Sequence, residues 1–128
     1  MTIDVALIGL GFTGRLVARE LLRVANRGLR IAFVGRSKER LQTACNDLPA
    51  APHLPSPELV VVKDIDDVDD LTQRSKLVLS AAGPFLLSGE PIVSSCVRNR
   101  AHYVGAYLYA ERTRCLPGGP WLNYSRRY

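Results

Sequence analysis

A glycine-rich turn directly after an apolar stretch constrains this chain more than any other feature. Apart from Asp4, residues 3–8 are β-branched and aliphatic, as in a buried parallel strand, and they lead into a Gly-x-Gly-x-x-Gly turn at Gly9, Gly11 and Gly14. Apolar residues then recur at helical spacing, so the order is strand, turn, helix. In such a unit the three glycines serve the tight turn, close approach of a pyrophosphate and packing of the helix on its strand. We therefore predict pyrophosphate contacts from Gly9, Gly11, Phe12, Thr13 and Gly14.

The chain continues this alternation of strands and helices as far as residue 104. Further strands are predicted over residues 29–34, 58–63, 76–81 and 102–104, and helices over residues 38–47, within 64–70, and over 91–100 with Pro91 in its first turn. This spacing implies right-handed βαβ crossovers. We predict an α/β fold, a Rossmann-type doubly wound parallel sheet of about five strands in the order 3-2-1-4-5.

The last part of the chain has a different composition. Residues 105–128 are rich in aromatic residues and contain a Pro-Gly-Gly-Pro run, but they show no sustained period. We predict a dinucleotide-binding domain over residues 1–104 and an irregular, poorly ordered tail over residues 105–128.

The residues after the second strand bear on the choice of cofactor. A site for NAD commonly has an acid here that binds the ribose 2′-hydroxyl, whereas this chain has Arg36 and Ser37. A guanidinium can pair with a 2′-phosphate in a fork and a serine can donate its hydroxyl hydrogen, so NADP(H) is favoured. The alternative is that these residues only form the solvated start of a helix.

Two further segments are candidates for cofactor contacts. Asp64 follows the third strand, where a carboxylate can reach the adenine amino group, although the neighbouring acids fit a solvated acidic loop equally well. Small residues after the fourth strand would let the backbone face the nicotinamide ribose and the diphosphate; a plain turn is the alternative. These residues are Ala82, Gly83 and Pro84.

Composition excludes several other classes of protein. The chain has 128 residues, 47% hydrophobic and 23% charged, which is typical of one globular domain. More than half of the net charge of +5 lies in residues 105–128, so we do not expect nucleic-acid binding. We find no apolar segment long enough to span a bilayer and no signal peptide, and we expect a cytoplasmic or other intracellular location. The three cysteines and two histidines indicate neither a disulfide framework nor a metal site, and no catalytic residue is assigned.

Several stretches taken together resemble one family. They are residues 11–18, 35–38, 82–85, 89–93 and 102–104. In this order and spacing they resemble the saccharopine dehydrogenase-like oxidoreductases, which include the trans-acting enoyl reductases, over about residues 3–104. The resemblance implies an N-terminal NADP(H)-binding domain followed by a larger domain that completes the active site and often mediates dimerisation. The chain departs from the family at Ile8, where many members have glycine, and at Gly105, where an acid is usual.

We therefore expect the NADP(H)-binding domain of such an oxidoreductase, in a truncated or alternatively spliced form that lacks the substrate and dimerisation domain. We do not expect this chain to turn over a substrate by itself, because without a second domain little would exclude water from the nicotinamide or position a substrate for hydride transfer. The alternative is a non-catalytic module that senses NADP(H) or binds another protein. The partners expected are the dinucleotide and either a second copy of the chain or a full-length paralogue.

Overall fold

Five parallel strands and four helices alternate along the described part of the chain. The computed structural model describes residues 2–81, the backbone of residues 85–90, and residues 91–105. The elements are β1 (Ile3–Ile8), α1 (Phe12–Val24), β2 (Ile31–Gly35), α2 (Lys38–Asn46), β3 (Glu58–Val61), α3 (Ile65–Arg74), β4 (Ser75–Ser80), α4 (Phe85–Arg98) and β5 (His102–Gly105). The sheet order is β3-β2-β1-β4-β5 and every pairing is parallel, so the predicted doubly wound fold is confirmed.

The sheet is covered on both faces, and each face has its own hydrophobic core. On one face Leu7 and Phe33 are fully buried together with Leu22 of α1 and Leu41 of α2. Complete burial of each such side chain contributes about 1.5–3 kcal/mol to the free energy of unfolding. The first two helices therefore lie on the same side of the strands.

The other face is covered by the last two helices. Val34 and Val78 of the sheet pack with Leu71 of α3 and with Ile92 and Cys96 of α4. Strand side chains alternate between the faces, so Phe33 and its neighbour Val34 belong to different cores. In the strand order, β1 lies between β2 and β4 at the centre of the sheet.

Helix α3 is longer than the short helix predicted within residues 64–70. It begins after Asp64, whose Oδ1 accepts a hydrogen bond from the Asp67 backbone N–H at 3.0 Å. Asp66 and Asp67 in the first turn also suit the positive end of the helix dipole. Val68 and Leu71 are buried on one side, and this packing continues the helix to Arg74.

The prediction that Pro91 lies in the first turn of its helix was wrong. Helix α4 begins at Phe85, so Pro91 lies inside it. A proline in a helix removes one backbone hydrogen bond and crowds the preceding turn. Burial of Ile92, Val93 and Cys96 immediately after Pro91 offsets this cost, since these residues join the core against β4.

A polar network holds α3 and α4 together. The Asp69 carboxylate accepts hydrogen bonds from the Ser95 hydroxyl at 2.5 Å and from Arg98 at 2.5 Å, and Asn99 reaches it at 3.3 Å. The Thr72 and Ser95 hydroxyls lie 2.7 Å apart. These contacts, above all the Ser95 hydroxyl, lower the pKa of Asp69. The network therefore fixes the position of α4 against α3.

Two further expectations from the sequence concern membrane-spanning segments and the C-terminal tail. Within the described ranges, 2–81 and 85–105, none of the helices has both the length and the apolar character needed to cross a membrane. Residues 82–84 and 106–128 lie outside the described residues, so the predicted tail stays a prediction.

Candidate dinucleotide-binding site

The glycine turn lies at the topological switch point of the sheet. Strand β1 pairs with β2 on one side and with β4 on the other, and the connections from these strands lead to opposite faces. Gly9 follows β1 and donates a hydrogen bond to the Val34 carbonyl at 2.9 Å, while Ala81 follows β4 and donates to the Ile8 carbonyl at 2.9 Å. In doubly wound sheets ligands bind outside the carboxyl ends of the strands at this point.

The backbone explains why two of the three glycines are needed. Gly9 has a φ of 90°, which disfavours any residue with a Cβ. A Cβ on Gly14 would lie 1.8 Å from the Gly9 carbonyl oxygen, so only glycine allows α1 to approach the turn this closely. Gly11 is different, because a Cβ there would meet no described atom within 4 Å. The space beside Gly11 is open to a ligand.

Helix α1 begins without a side-chain cap. Gly11 is its N-cap residue and no acid lies in its first turn, whereas a side-chain oxygen caps both α2 and α3. The first backbone N–H groups of a helix have no acceptor within the helix. Those of Phe12, Thr13 and Gly14 therefore face the open end of α1, where the helix dipole favours an anion. Phe12 is 85% exposed and packs in neither of the two hydrophobic cores.

A cleft of about 480 Å³ joins this turn to the start of α2. It is lined by Gly9, Leu10, Gly11, Arg15, Gly35, Arg36, Ser37, Glu39, Arg40, Leu41 and Thr43. The glycine turn and the Arg36–Ser37 pair, which are distant in sequence, thus share one cleft. Among its lining residues Arg15, Arg36 and Arg40 are cationic and Glu39 is the one acid.

Arg15 is a cleft residue that the sequence analysis missed. Its Nε donates to the Leu10 carbonyl at 3.3 Å, and its Nη1 lies 3.3 Å from Oδ2 of Asp47, which caps the end of α2. The guanidinium therefore links α1 to α2 beside the cleft. In the sequence, the only sign that Arg15 could belong to the site is its position directly after the last glycine of the turn. That position does not show that the end of α2 lies next to Arg15.

Ser37 has two roles at the start of α2. Its Oγ accepts a hydrogen bond from the Arg40 backbone N–H at 3.4 Å and lies 3.1 Å from Oε2 of Glu39, to which it donates. The Glu39 backbone N–H, followed by the Ser37 hydroxyl, lowers the pKa of the Glu39 carboxyl. The structure confirms the predicted N-cap, and Ser37 is one of the residues that line the cleft.

The remaining candidates are not in this cleft. Asp64 is absent from its lining, and one oxygen of its carboxylate caps α3. Ala82, Gly83 and Pro84 lie outside the described residues, although Ala81 just before them is close to Gly14, since a Cβ added to Gly14 would lie 3.7 Å from the Cβ of Ala81. Contacts of these four residues with a cofactor stay predictions.

A second cavity, of about 350 Å³, lies under the proline-rich connection between α2 and β3. Residues 48–52 and 54–57 line it together with Leu22, Phe33 and Cys45. No charged residue is among them, so this cavity offers nothing to balance phosphate charge. The cleft at the glycine turn is the better candidate for a nucleotide.

The fold and this cleft define a class of protein. A doubly wound parallel sheet, an uncapped helix after a glycine turn at the switch point, and a basic cleft beside the second strand are the features of a Rossmann-type dinucleotide-binding domain. The family model described as saccharopine dehydrogenase NADP binding domain matches residues 5–117. The chain belongs to this family, and its cofactor is NADP(H). The match extends beyond residue 104, where the resemblance in the sequence ended.

Curated relatives support the same family. The chain is 36% identical over 102 residues to the saccharopine dehydrogenase-like oxidoreductase of Mus musculus, a match that covers 70% of this chain and 23% of the mouse protein. It is 34% identical over 105 residues to the trans-acting enoyl reductase of Mycobacterium leprae, covering 78% of this chain and 24% of that protein. The chain thus spans about a quarter of the length of these relatives.

Solved structures agree on the fold. Saccharopine dehydrogenase (L-Glu forming) from Saccharomyces cerevisiae, in its apo form, superposes with a TM-score of 0.67 at 19% identity. The superposition covers 90% of this chain and 24% of the yeast chain. At this identity the likeness concerns the fold alone.

Proposed function

We propose that the cleft between the glycine turn and α2 holds the cofactor of this NADP-binding domain. The pyrophosphate lies at the N-terminus of α1, over Gly9 and Gly11 and against the backbone N–H groups of Phe12, Thr13 and Gly14. The observation that carries this proposal is the helix end itself, which has no side-chain cap and opens into a cleft with three arginines.

The 2′-phosphate of the adenosine lies at the opposite wall. Arg36 and Ser37 immediately follow β2 and line the cleft, where a guanidinium can bind a phosphate through two parallel N–H groups. Arg40 lines the same wall and adds a second positive charge. A ribose that carries only hydroxyl groups would leave these charges without a partner, so the wall favours NADP(H) over NAD(H).

The proposal places the rest of the cofactor near β4. Ala82, Gly83 and Pro84 follow that strand and, by the sequence argument, face the nicotinamide ribose.

Asp64 is proposed to contact the adenine amino group. Its substitution by Asn tests this separately from the helix cap, since Asp and Asn cap helices equally well. Unchanged affinity for NADPH in Asp64→Asn would remove Asp64 from the site.

We further propose that the domain serves an NADP(H)-dependent oxidoreductase, as the name of the mouse relative indicates. A partner is proposed as well, either a second copy of the chain or a full-length paralogue. This rests on β5, an edge of the sheet in the described residues, where Val104 is 51% exposed. An unpaired edge is a template for pairing with another chain. Light scattering that gives the mass of a single chain at all concentrations, with no complex formed with a paralogue, would contradict this.

Calorimetric titration tests the cofactor site. NADPH should bind at least about tenfold more tightly than NADH, since one charge-assisted hydrogen bond contributes about 1.5–3 kcal/mol. Arg36→Asp should abolish or reverse this preference. Arg19→Asp, which makes the same change on the exposed side of α1 and outside the cleft, should preserve it. Equal affinities for NADPH and NADH, before and after Arg36→Asp, would refute the proposed role of Arg36.

A further inference from the structure

We propose that Glu39 limits the preference of this site for NADP(H), because its carboxylate both occupies the Ser37 hydroxyl and repels the 2′-phosphate. This inference rests on the proposed cofactor site. The observation behind it is an acid on the wall of the cleft that otherwise carries Arg36 and Arg40.

The hydroxyl of Ser37 has one hydrogen to donate. In the structure Oγ lies 3.1 Å from Oε2 of Glu39, and it accepts at the same time from the Arg40 backbone N–H, so this hydrogen is directed to the carboxylate. Ser37 can donate to a 2′-phosphate only if its bond to Glu39 is broken. Binding of NADP(H) therefore has to displace one charge-assisted hydrogen bond, whereas binding of NAD(H) does not.

The negative charge of Glu39 also weakens the binding of NADP(H) relative to NAD(H). The contacts that lower the pKa of its carboxyl keep Glu39 ionised at neutral pH, and the nearby lysines, Lys38 and Lys63, contribute to this. Two like charges within about 5 Å of each other repel, even when water screens part of the interaction. A phosphate placed at Ser37 comes within that range, since the carboxylate itself is 3.1 Å from the hydroxyl.

Glu39 also has a structural role, and it is compatible with this one. It lies in the first turn of α2, where an acid suits the helix dipole. Its side chain is exposed, so replacement by the neutral, isosteric Gln leaves the cores intact. The Ser37 cap of α2 is kept, because it uses the Arg40 backbone N–H.

Titrations of NADPH and NADH against the full 128-residue chain test this inference. Glu39→Gln should tighten NADPH about fivefold, since one repulsive charge is removed from a partly screened site. It should change the affinity for NADH by less than about twofold, since no phosphate meets Glu39 in that complex. The matched control is Glu20→Gln on α1, which removes the same charge from an exposed residue outside the cleft and should leave both affinities unchanged.

Each other outcome overturns the inference in a recognisable way. Unchanged NADPH affinity in Glu39→Gln, with a wild-type preference for NADPH, would overturn the role of Glu39 and leave the proposed site intact. Weaker NADH binding with unchanged NADPH binding would mean that Glu39 holds ribose hydroxyls instead. Equal tightening in Glu20→Gln would assign the effect to net charge. If the wild-type chain binds neither nucleotide, the proposed site fails and this inference fails with it.

Discussion

Gly11 and Gly14 belong to one turn but have different surroundings, so we expect their replacement by alanine to have different effects. Gly14→Ala places a Cβ 1.8 Å from the Gly9 carbonyl oxygen and 2.8 Å from its carbonyl carbon. Both are backbone atoms of a residue already at a φ of 90°, so relief requires the turn or α1 to move. Overpacking usually costs about 1–3 kcal/mol, and contact with backbone places this variant at about 3 kcal/mol.

Gly11→Ala should behave in the opposite way. Its Cβ meets no described atom within 4 Å, and its φ of −74° is allowed for alanine. Only the preference for glycine over alanine at an N-cap is lost, which costs about 0.5 kcal/mol. The methyl group instead enters the cleft where the pyrophosphate is proposed to lie. We expect at least about a tenfold loss of NADPH affinity, or about 1.4 kcal/mol.

Two measurements separate these outcomes. Urea unfolding and thermal unfolding, both followed by circular dichroism without nucleotide, give the free energy of unfolding and the Tm; for Gly14→Ala the first should fall by about 3 kcal/mol and the second by about 12 °C. For Gly11→Ala the Tm should fall by no more than about 3 °C. Calorimetry with NADPH then gives the affinity. Wild-type stability of Gly14→Ala, or wild-type affinity of Gly11→Ala, would refute the reasoning.

Three further predictions concern the rest of the fold. Asp4, whose pKa is lowered mainly by its bonds to Arg30, stabilises the fold above the unfolded pKa of about 3.9, and this stabilisation is lost as pH falls toward the lower folded value. Asp4→Asn should therefore lower the free energy of unfolding by about 2 kcal/mol at pH 7, with a smaller difference from wild type in denaturation at pH 3. Phe33→Ala, at a fully buried site, should cost about 4 kcal/mol in urea unfolding, and a loss under 1 kcal/mol would contradict the described core. Burial raises the pKa of Cys96 to about 12; it also raises the pKa of Cys45, but that thiol is only partly buried, so peptide mapping after alkylation at pH 8 should find Cys45 modified before Cys96.

The sequence was sufficient for the strand order because each strand has a strong local signal. Every residue of the run Ile3–Ile8 except Asp4 is apolar, and the glycine turn fixes its direction relative to α1. The same local reasoning placed Pro91 too early in its helix. A proline usually lies near a helix start, but burial of the residues that follow it outweighs this preference, and burial depends on contacts with β4.

Sequence motifs could indicate which segments would meet at the switch point of the sheet, although their contacts with a cofactor stay predictions. The glycine turn and the Arg36–Ser37 pair each follow a strand of the predicted sheet, and the structure brings them to the same cleft. Arg15 and Glu39 were not predicted to take part, because ordinary exposed charges acquire a role only from what approaches them in space. Arg15 lies near the cleft because α1 and the end of α2 come together, a distance that no local pattern encodes.

Amide chemical-shift mapping tests the central claim most directly. When ¹⁵N-labelled protein is titrated with NADP⁺, the largest shifts should fall on residues 9–15 and 35–40, which are the turn, the start of α1 and the opposite wall. Titration with NAD⁺ should shift the turn and leave residues 36–40 nearly unchanged. Shifts confined to residues 48–57, at the apolar second cavity, would contradict the account, as would the absence of shifts at saturating nucleotide.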